Sequence, residues 1–396
     1  MPAPWARGVP APSGERVVAL DGLRGLAALV VVLHHSLLAL PQLADPYRSG
    51  RPPAEGVWAW LVYTPLHAFW QGSAAVYLFF VLSGYVLTLP ALRPSFCWSS
   101  YLPSRLVRLY LPTAAALAWA LVVYAVVPHV VRPGASWWIS WHAVEVTPQR
   151  VGRDLLLVLG TDAINSPLSS LRWEVLFSLL LPLFVFLVRR LGRAWPVGLV
   201  GLLVLCGIGN QTDGHGRALF YLPMFGLGAV LAASRSHVGP WWERHVGGRR
   251  AGRAVLAAGV VLLSAHWALI GLGVTTTWLR TAGVVAELVG ALLLVMAAIW
   301  SPAASRPLAH PVVRWLGSRS FSLYLVHEPL AVAVSLLLPL DAQLLTPVLT
   351  VPLALLLAEG FFRLVERPSH RLARTVGRRT AAAVVPVPAR ALRPAR

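Results

Sequence analysis

The chain has 396 residues, of which 57% are hydrophobic and only 12% are charged, whereas soluble domains carry about 25% charged residues. This composition excludes an ordinary soluble enzyme. The net charge of +19 does not indicate a nucleic-acid-binding protein, because the arginines lie in short clusters between apolar runs and not on one exposed surface. No nucleic-acid partner is therefore expected.

The apolar runs are about 20 residues long, which is the length that crosses a bilayer. They predict an all-α fold, a polytopic membrane helix bundle of about ten transmembrane helices in contact with the lipid bilayer. The predicted spans are 17–40, 69–91, 110–131, 168–189, 195–212, 218–234, 254–273, 278–300, 318–338 and 344–366.

The arginines are distributed unevenly between the two sides of these spans. If the N-terminus is cytoplasmic, the cytoplasmic segments contain 25 arginines and the outer segments contain 7, as the positive-inside rule requires. This predicts a multi-pass protein of the cell membrane with both termini in the cytoplasm. Residues 1–16 are expected to be a disordered cytoplasmic N-terminus, 17–372 the transmembrane domain, and 373–396 an Arg/Pro/Ala-rich tail that is disordered or lies on anionic headgroups.

The first span carries ionisable residues, which are costly in hydrocarbon and so indicate function. At 100° per residue Arg24 and His35 differ by about 20° and share a helix face, about 16 Å apart, with Asp21 placed to pair with Arg24. His34 is turned about 80° away. Adjacent histidines diverge on a helix, which argues against a zinc site at this pair. The helix face shared by Arg24 and His35, called the Arg24/His35 stripe, suggests that Arg24 binds an anionic ligand and that His35 acts as a general base. Alternatively, His35 is hydrogen-bonded between helices and Arg24 snorkels to the headgroups.

The second span contains Ser83 and Gly84, either as small packing residues or as a hydroxyl donor that lines a cavity. After it, Arg105 and Arg108 are predicted to be interfacial anchors or phosphate ligands. The connection 132–167 carries three tryptophans and one histidine, namely Trp137, Trp138, Trp141 and His142. They suit an aromatic belt at the membrane interface better than a surface that binds an acceptor substrate.

The later spans add further polar residues. Glu174 lies near a helix N-terminus, where the helix dipole favours a carboxylate, so its role is structural or functional. Glu287 is deep and has no obvious partner. Ser320, Tyr324 and His327 fall on one helix face and suggest a polar cavity. Near the end of the last span, three residues are available for ion pairing, namely Glu359, Arg363 and Glu366. Pro368 is expected to end the helix.

These residues lie in segments that resemble the acyltransferase-3 family of integral membrane O-acyltransferases. LRGLAALVVVLHH is similar to the family's Arg-x10-His signature, with Arg24 and His35 at the two ends. Five later blocks follow in the same order as in the family: FFVLSGY, SLRWEVLF, RALFYLPMFGLGAVLA, LGSRSFSLYLVH and VERPSHRLAR. The resemblance extends from about residue 16 to residue 372.

The resemblance implies transfer of an acyl group, usually acetyl, from acyl-CoA to a hydroxyl of a glycan, a lipid-linked sugar or a glycosylated small molecule. It implies that His35 is the catalytic histidine and Arg24 its paired arginine, with acyl-CoA as a donor substrate and no permanently bound cofactor. We expect Arg24, with Arg105 or Arg108, to hold the donor. Ser83 or Tyr324 would face the developing oxyanion, and His327 and Glu174 would have supporting roles.

Direct transfer is the expected mechanism, and a ping-pong route through an acyl-enzyme remains open. Two other classes of protein fit the same residues. A transporter or flippase would use Arg24, His35 and Glu174 as a relay, whereas a non-catalytic membrane subunit of a glycan assembly machine would not need His35.

Overall fold

The computed structural model describes residues 18–49, 56–161, 163–212 and 216–384, and this part of the chain contains helices and no strand. The predicted N-terminal segment 1–16 and residues 385–396 of the predicted tail 373–396 lie outside the described residues. In chain order the α-helices are α1 (Val18–Leu37), α2 (Pro41–Ser49), α3 (Val57–Tyr63), α4 (Gly72–Ala91), α5 (Trp98–Val126), α6 (Trp137–Trp141), α7 (Pro148–Leu156), α8 (Leu168–Val188), α9 (Trp195–Asn210), α10 (Arg217–Ala233), α11 (Arg235–Val246), α12 (Arg249–Leu262), α13 (Ala265–Gly271), α14 (Thr277–Trp300), α15 (Pro302–Leu308), α16 (Pro311–Leu337), α17 (Leu345–Phe361) and α18 (Arg367–Val384).

The all-α prediction is confirmed, and the chain is a multi-pass membrane protein. Within the described residues eight helices are long and apolar enough to cross a membrane. Two of the ten predicted spans are instead bent helix pairs, in which α10 and α11 meet at 81° and α12 and α13 at 54°. Counting each bent pair as one span gives up to ten.

The predicted helix boundaries differ most from the structure at the start of α5 and at the end of the last span. The third span was expected to begin at 110, but α5 begins at Trp98. Pro368 was expected to close a helix, and this is wrong: a π-helical turn, Phe362–Glu366, joins α17 to α18, and Pro368 is the second residue of α18. The π-helical turn, in which the Arg367 N–H bonds to the carbonyl oxygen of Phe362, shifts the hydrogen-bond register just before the proline and lets the helix continue through it. The segment predicted as a tail from residue 373 is consequently helical as far as Val384.

The helices α1 and α16 run in the same direction and are in close contact along small residues. A Cβ atom added to Gly25 would lie 2.5 Å from the backbone nitrogen of Gly317, and one added to Gly317 would lie 2.1 Å from the carbonyl oxygen of Asp21. Further along both helices, His35 contacts His327. Small residues permit this kind of backbone approach between membrane helices, and here they fix the register of the two helices that carry the histidines.

Candidate active site

The second halves of α1 and α16 place two histidines in direct contact. The Nδ1 atom of His35 lies 2.8 Å from Nε2 of His327, and the two rings stack with an interplanar angle of 14°. The Nδ1 atom of His327 lies 3.1 Å from the carbonyl oxygen of Leu323 on the same helix. The two histidines and this carbonyl therefore form one hydrogen-bonded chain.

This chain sets the tautomer of both rings. A carbonyl oxygen only accepts, so His327 donates through Nδ1 and, in its neutral form, carries a lone pair on Nε2. His35 must then donate its Nδ1 proton to that lone pair. The Nε2 atom of a neutral His35 is left without a proton, which is the form that a general base requires.

A buried carboxylate lies beside the free nitrogen of His35. Glu328 is 1% exposed, and one of its oxygens lies 3.8 Å from His35 Nε2. The backbone nitrogen of Ser166 donates to the other oxygen at 2.5 Å, and the Ser166 hydroxyl donates to the first. A carboxylate held in this position stabilises a positive charge on His35.

The connection between α5 and α8 supplies more of the site than the sequence suggested. Trp138 is 3% exposed and stacks on His35 with an interplanar angle of 8°. The Nδ1 atom of His142 donates to the carbonyl oxygen of Trp138, and its Nε2 lies 3.4 Å from Glu328. The interpretation of these two residues as an interfacial aromatic belt is therefore wrong, because Trp138 is buried against His35 and His142 is buried against Glu328.

A cavity of about 190 Å³ opens beside His35. Its lining combines hydroxyl groups with aromatic rings. Tyr324, one of the predicted oxyanion donors, lines it, and its hydroxyl lies 2.8 Å from Ser170 and 3.2 Å from the carbonyl oxygen of Pro167. Small hydroxylated molecules fit such a surface, since the rings stack on them and the hydroxyls hydrogen-bond to them.

Glu174 belongs to a different cluster. Its carboxylate forms an ion pair with Arg105, and Ser83 donates to the same carboxylate oxygen at 3.4 Å. Arg105 also donates to Ser178 at 3.3 Å. Arg105 and Ser83 are thus already bound to Glu174, and Glu174 contacts neither His35 nor His327. The proposed relay of Arg24, His35 and Glu174 is not a contiguous cluster.

Arg24 and Arg108 lie together near the start of α1. Electrostatic interactions link both guanidinium groups to Glu366 and to each other. Glu366 is itself held by the backbone nitrogen and hydroxyl of Ser322. Arg24, on the helix that carries His35, is half-buried, and Arg108 is exposed. Arg24 thus places positive charge about 16 Å along α1 from His35, and Arg108 adds to it from α5.

The remaining predicted pairs have definite partners. Glu359 forms an ion pair with Arg363 at 2.6 Å, as expected, and a second one with Arg319 at 2.7 Å. Glu287 accepts a hydrogen bond from Gln71 at 3.1 Å. Neither carboxylate takes part in the histidine cluster.

His34 lies in a separate aromatic group, although its ring edges the cavity. Its Nδ1 donates to the carbonyl oxygen of Trp70, and the hydroxyl of Tyr47 hydrogen-bonds to His67 at 2.6 Å. Burial lowers the pKa of His67 to about 3. The 80° separation predicted between His34 and the Arg24/His35 stripe agrees with this placement.

Comparison with known proteins adds one match. The family model of the acyltransferase-3 family, described as an acyltransferase domain, matches residues 17–359. The matched range includes both members of the histidine pair. No curated protein and no solved structure matches the chain.

Proposed function

Because the chain belongs to the acyltransferase-3 family, we propose that it transfers an acyl group from acyl-CoA to a hydroxyl group with His35 as the general base. The acceptor is a glycan, a lipid-linked sugar or a glycosylated small molecule, and the acyl group is acetyl. The observation that supports this proposal most strongly is the hydrogen-bonded chain from Leu323 through His327 to His35, which leaves His35 Nε2 free to accept a proton.

In the proposed reaction the acceptor hydroxyl lies in the cavity beside His35. Its oxygen attacks the thioester carbonyl carbon while its proton moves to His35 Nε2, which gives an imidazolium and a tetrahedral oxyanion. The carbon–sulfur bond then breaks, and the CoA thiolate leaves with the proton that His35 returns. The products are the acyl ester and CoA–SH, and no acyl-enzyme forms.

The surrounding residues have separate tasks in this proposal. The carboxylate of Glu328 stabilises the imidazolium, and His327 and Trp138 position the His35 ring. The hydroxyl of Tyr324 lines the same cavity and serves as an oxyanion donor. Arg24 and Arg108 hold the phosphates of the donor, and the arginine-rich ends of the helices face the cytoplasm.

The test is acetyl-CoA consumption by the purified full-length protein with a panel of hydroxylated glycans and glycosides. Replacement of a general base lowers turnover by about 10²–10⁴-fold, so His35→Ala should lose at least 10²-fold in kcat. The matched control His245→Ala removes an exposed histidine on α11 and should retain full turnover. Thermal melting curves verify that both variants are folded.

Two outcomes would contradict the proposal. Full activity of His35→Ala would show that His35 is not the general base. An acyl-enzyme trapped with labelled acyl-CoA in the absence of acceptor would show a ping-pong route and not direct transfer.

A further inference from the structure

The last helix, α18, carries a stripe of arginines that the proposed reaction does not use. Arg367, Arg371, Arg374 and Arg378 are all exposed. At 100° per residue they lie within about 60° of one another, along about 16 Å of the helix. The helix contains no acidic residue, and the described part of the chain pairs none of the four with a carboxylate.

The opposite side of α18 packs against the first part of α5 and runs antiparallel to it. A Cβ atom added to Gly377 would lie 2.7 Å from the Ser100 hydroxyl, and Thr380 donates to the carbonyl oxygen of Ser99. Ser369, Ala373 and Gly377 are the buried residues of this side. The small residues hold the helix against α5, and the arginine stripe is consequently turned outward.

The stripe begins beside the Arg24/Arg108 pair. Glu366, which interacts with both of these arginines, is the residue immediately before α18. Positive charge therefore continues from the inside of the bundle at Arg24, through the exposed Arg108, onto the surface of α18.

We propose that the arginine stripe of α18 binds the 3′-phosphorylated ADP end of acyl-CoA. This inference rests on the proposed use of acyl-CoA as donor. Guanidinium groups bind phosphate oxygens in pairs, and this end of the donor carries all of its phosphates. With the phosphates bound along the stripe, whose Arg367 end lies next to the Arg24/Arg108 pair, the uncharged pantetheine arm would extend along α1 towards His35, about 16 Å from Arg24.

The experiment combines truncation of the ligand with removal of the arginines. Dissociation constants are measured by equilibrium dialysis on full-length protein in neutral detergent, with labelled acetyl-CoA and with acetyl-dephospho-CoA, which lacks only the 3′-phosphate. The test variant is Arg371→Gln/Arg374→Gln/Arg378→Gln. The matched control is Arg249→Gln/Arg250→Gln/Arg253→Gln, which removes three exposed arginines from α12.

The wild type should bind acetyl-CoA about tenfold more tightly than acetyl-dephospho-CoA, the effect of one good charge-assisted contact. The α18 variant should lose this preference by weakening acetyl-CoA binding about tenfold, and the α12 control should keep it. Equal weakening by both variants, or equal weakening for both ligands, would overturn the proposal.

A second set of measurements tests whether the stripe binds the phosphates of lipid headgroups and not those of acyl-CoA. The same measurements are made in nanodiscs of neutral phosphatidylcholine and of phosphatidylcholine with phosphatidylglycerol. If the α18 variant loses only its stabilisation by phosphatidylglycerol and keeps wild-type affinity for acetyl-CoA, the stripe binds lipid headgroups and the proposal is wrong. If the wild type binds neither acyl-CoA analogue, the proposed donor fails and the stripe proposal fails with it.

Discussion

The carboxylate of Glu328 allows a quantitative prediction. In Glu328→Gln the amide oxygen can still accept from the Ser166 backbone N–H and the amide nitrogen can donate to the Ser166 hydroxyl, but the negative charge beside His35 is removed. At 3.8 Å from His35 Nε2 and an effective dielectric constant of about 20, the lost attraction for an imidazolium is about 4 kcal/mol. That corresponds to about a 10³-fold slower chemical step.

The assay is the initial rate of CoA thiol release over a range of acetyl-CoA concentrations and pH values. We expect kcat to fall by about 10²–10³-fold and KM for acetyl-CoA to change little, because the anionic end of the donor binds elsewhere. Glu287→Gln is the control, since it neutralises another buried glutamate, which hydrogen-bonds to Gln71. A kcat of Glu328→Gln within threefold of wild type would refute the assignment of this carboxylate to the His35 charge.

Three further predictions concern stability, each measured as the melting temperature in detergent. Arg105→Gln leaves the Glu174 carboxylate unpaired and should lower stability by about 2 kcal/mol, whereas the double variant with Glu174→Gln should recover much of that loss; no recovery would contradict the ion pair. Gly317→Ala places a Cβ atom 2.1 Å from the backbone of α1 and should lower both the melting temperature and turnover, while Gly360→Ala, with open space around it, should be neutral; equal effects would argue against the close contact. The pKa of His67 is lowered from 6.5 to about 3, so the contribution of the neutral imidazole to stability is complete above pH 6.5 and is lost as the pH falls toward 3. The wild type should therefore lose stability below pH 6.5 more steeply than His67→Gln. Parallel pH curves for the two proteins would contradict this.

Hydrophobic periodicity predicted the helices and the shared face of Arg24 and His35, because those features follow from one helix at a time. It also placed His327 on the helix face of Tyr324; Tyr324 lines the cavity, whereas His327 lies beside His35 and is not part of the lining. The contact between His35 and His327 could not be predicted in the same way. It depends on the register between α1 and α16, which is set by backbone approach at Gly25 and Gly317.

Glu328 was overlooked although it follows His327 directly in the sequence. It lies about 100° from His327 around the helix, and its hydrogen-bond partner Ser166 and its neighbour His142 come from a non-periodic connection. Such a segment has no repeat from which its position can be calculated. The Trp-rich part of that connection was assigned to the lipid interface because composition alone does not distinguish a buried tryptophan from an interfacial one.

The parallel contact of α1 with α16 also explains why the number of residues between Gly25 and His35 matters. The same interval of 292 residues along the chain separates Gly25 from Gly317 and His35 from His327. The glycine contact therefore fixes the register of the two helices, and each histidine lies ten residues beyond the glycine of its own helix. One residue deleted from α1 between Gly25 and His34 would turn everything beyond it by about 100° and put Ser36 where His35 now lies. The protein would keep both imidazoles and lose the alignment between them, so the interval is as much a part of the site as the side chains.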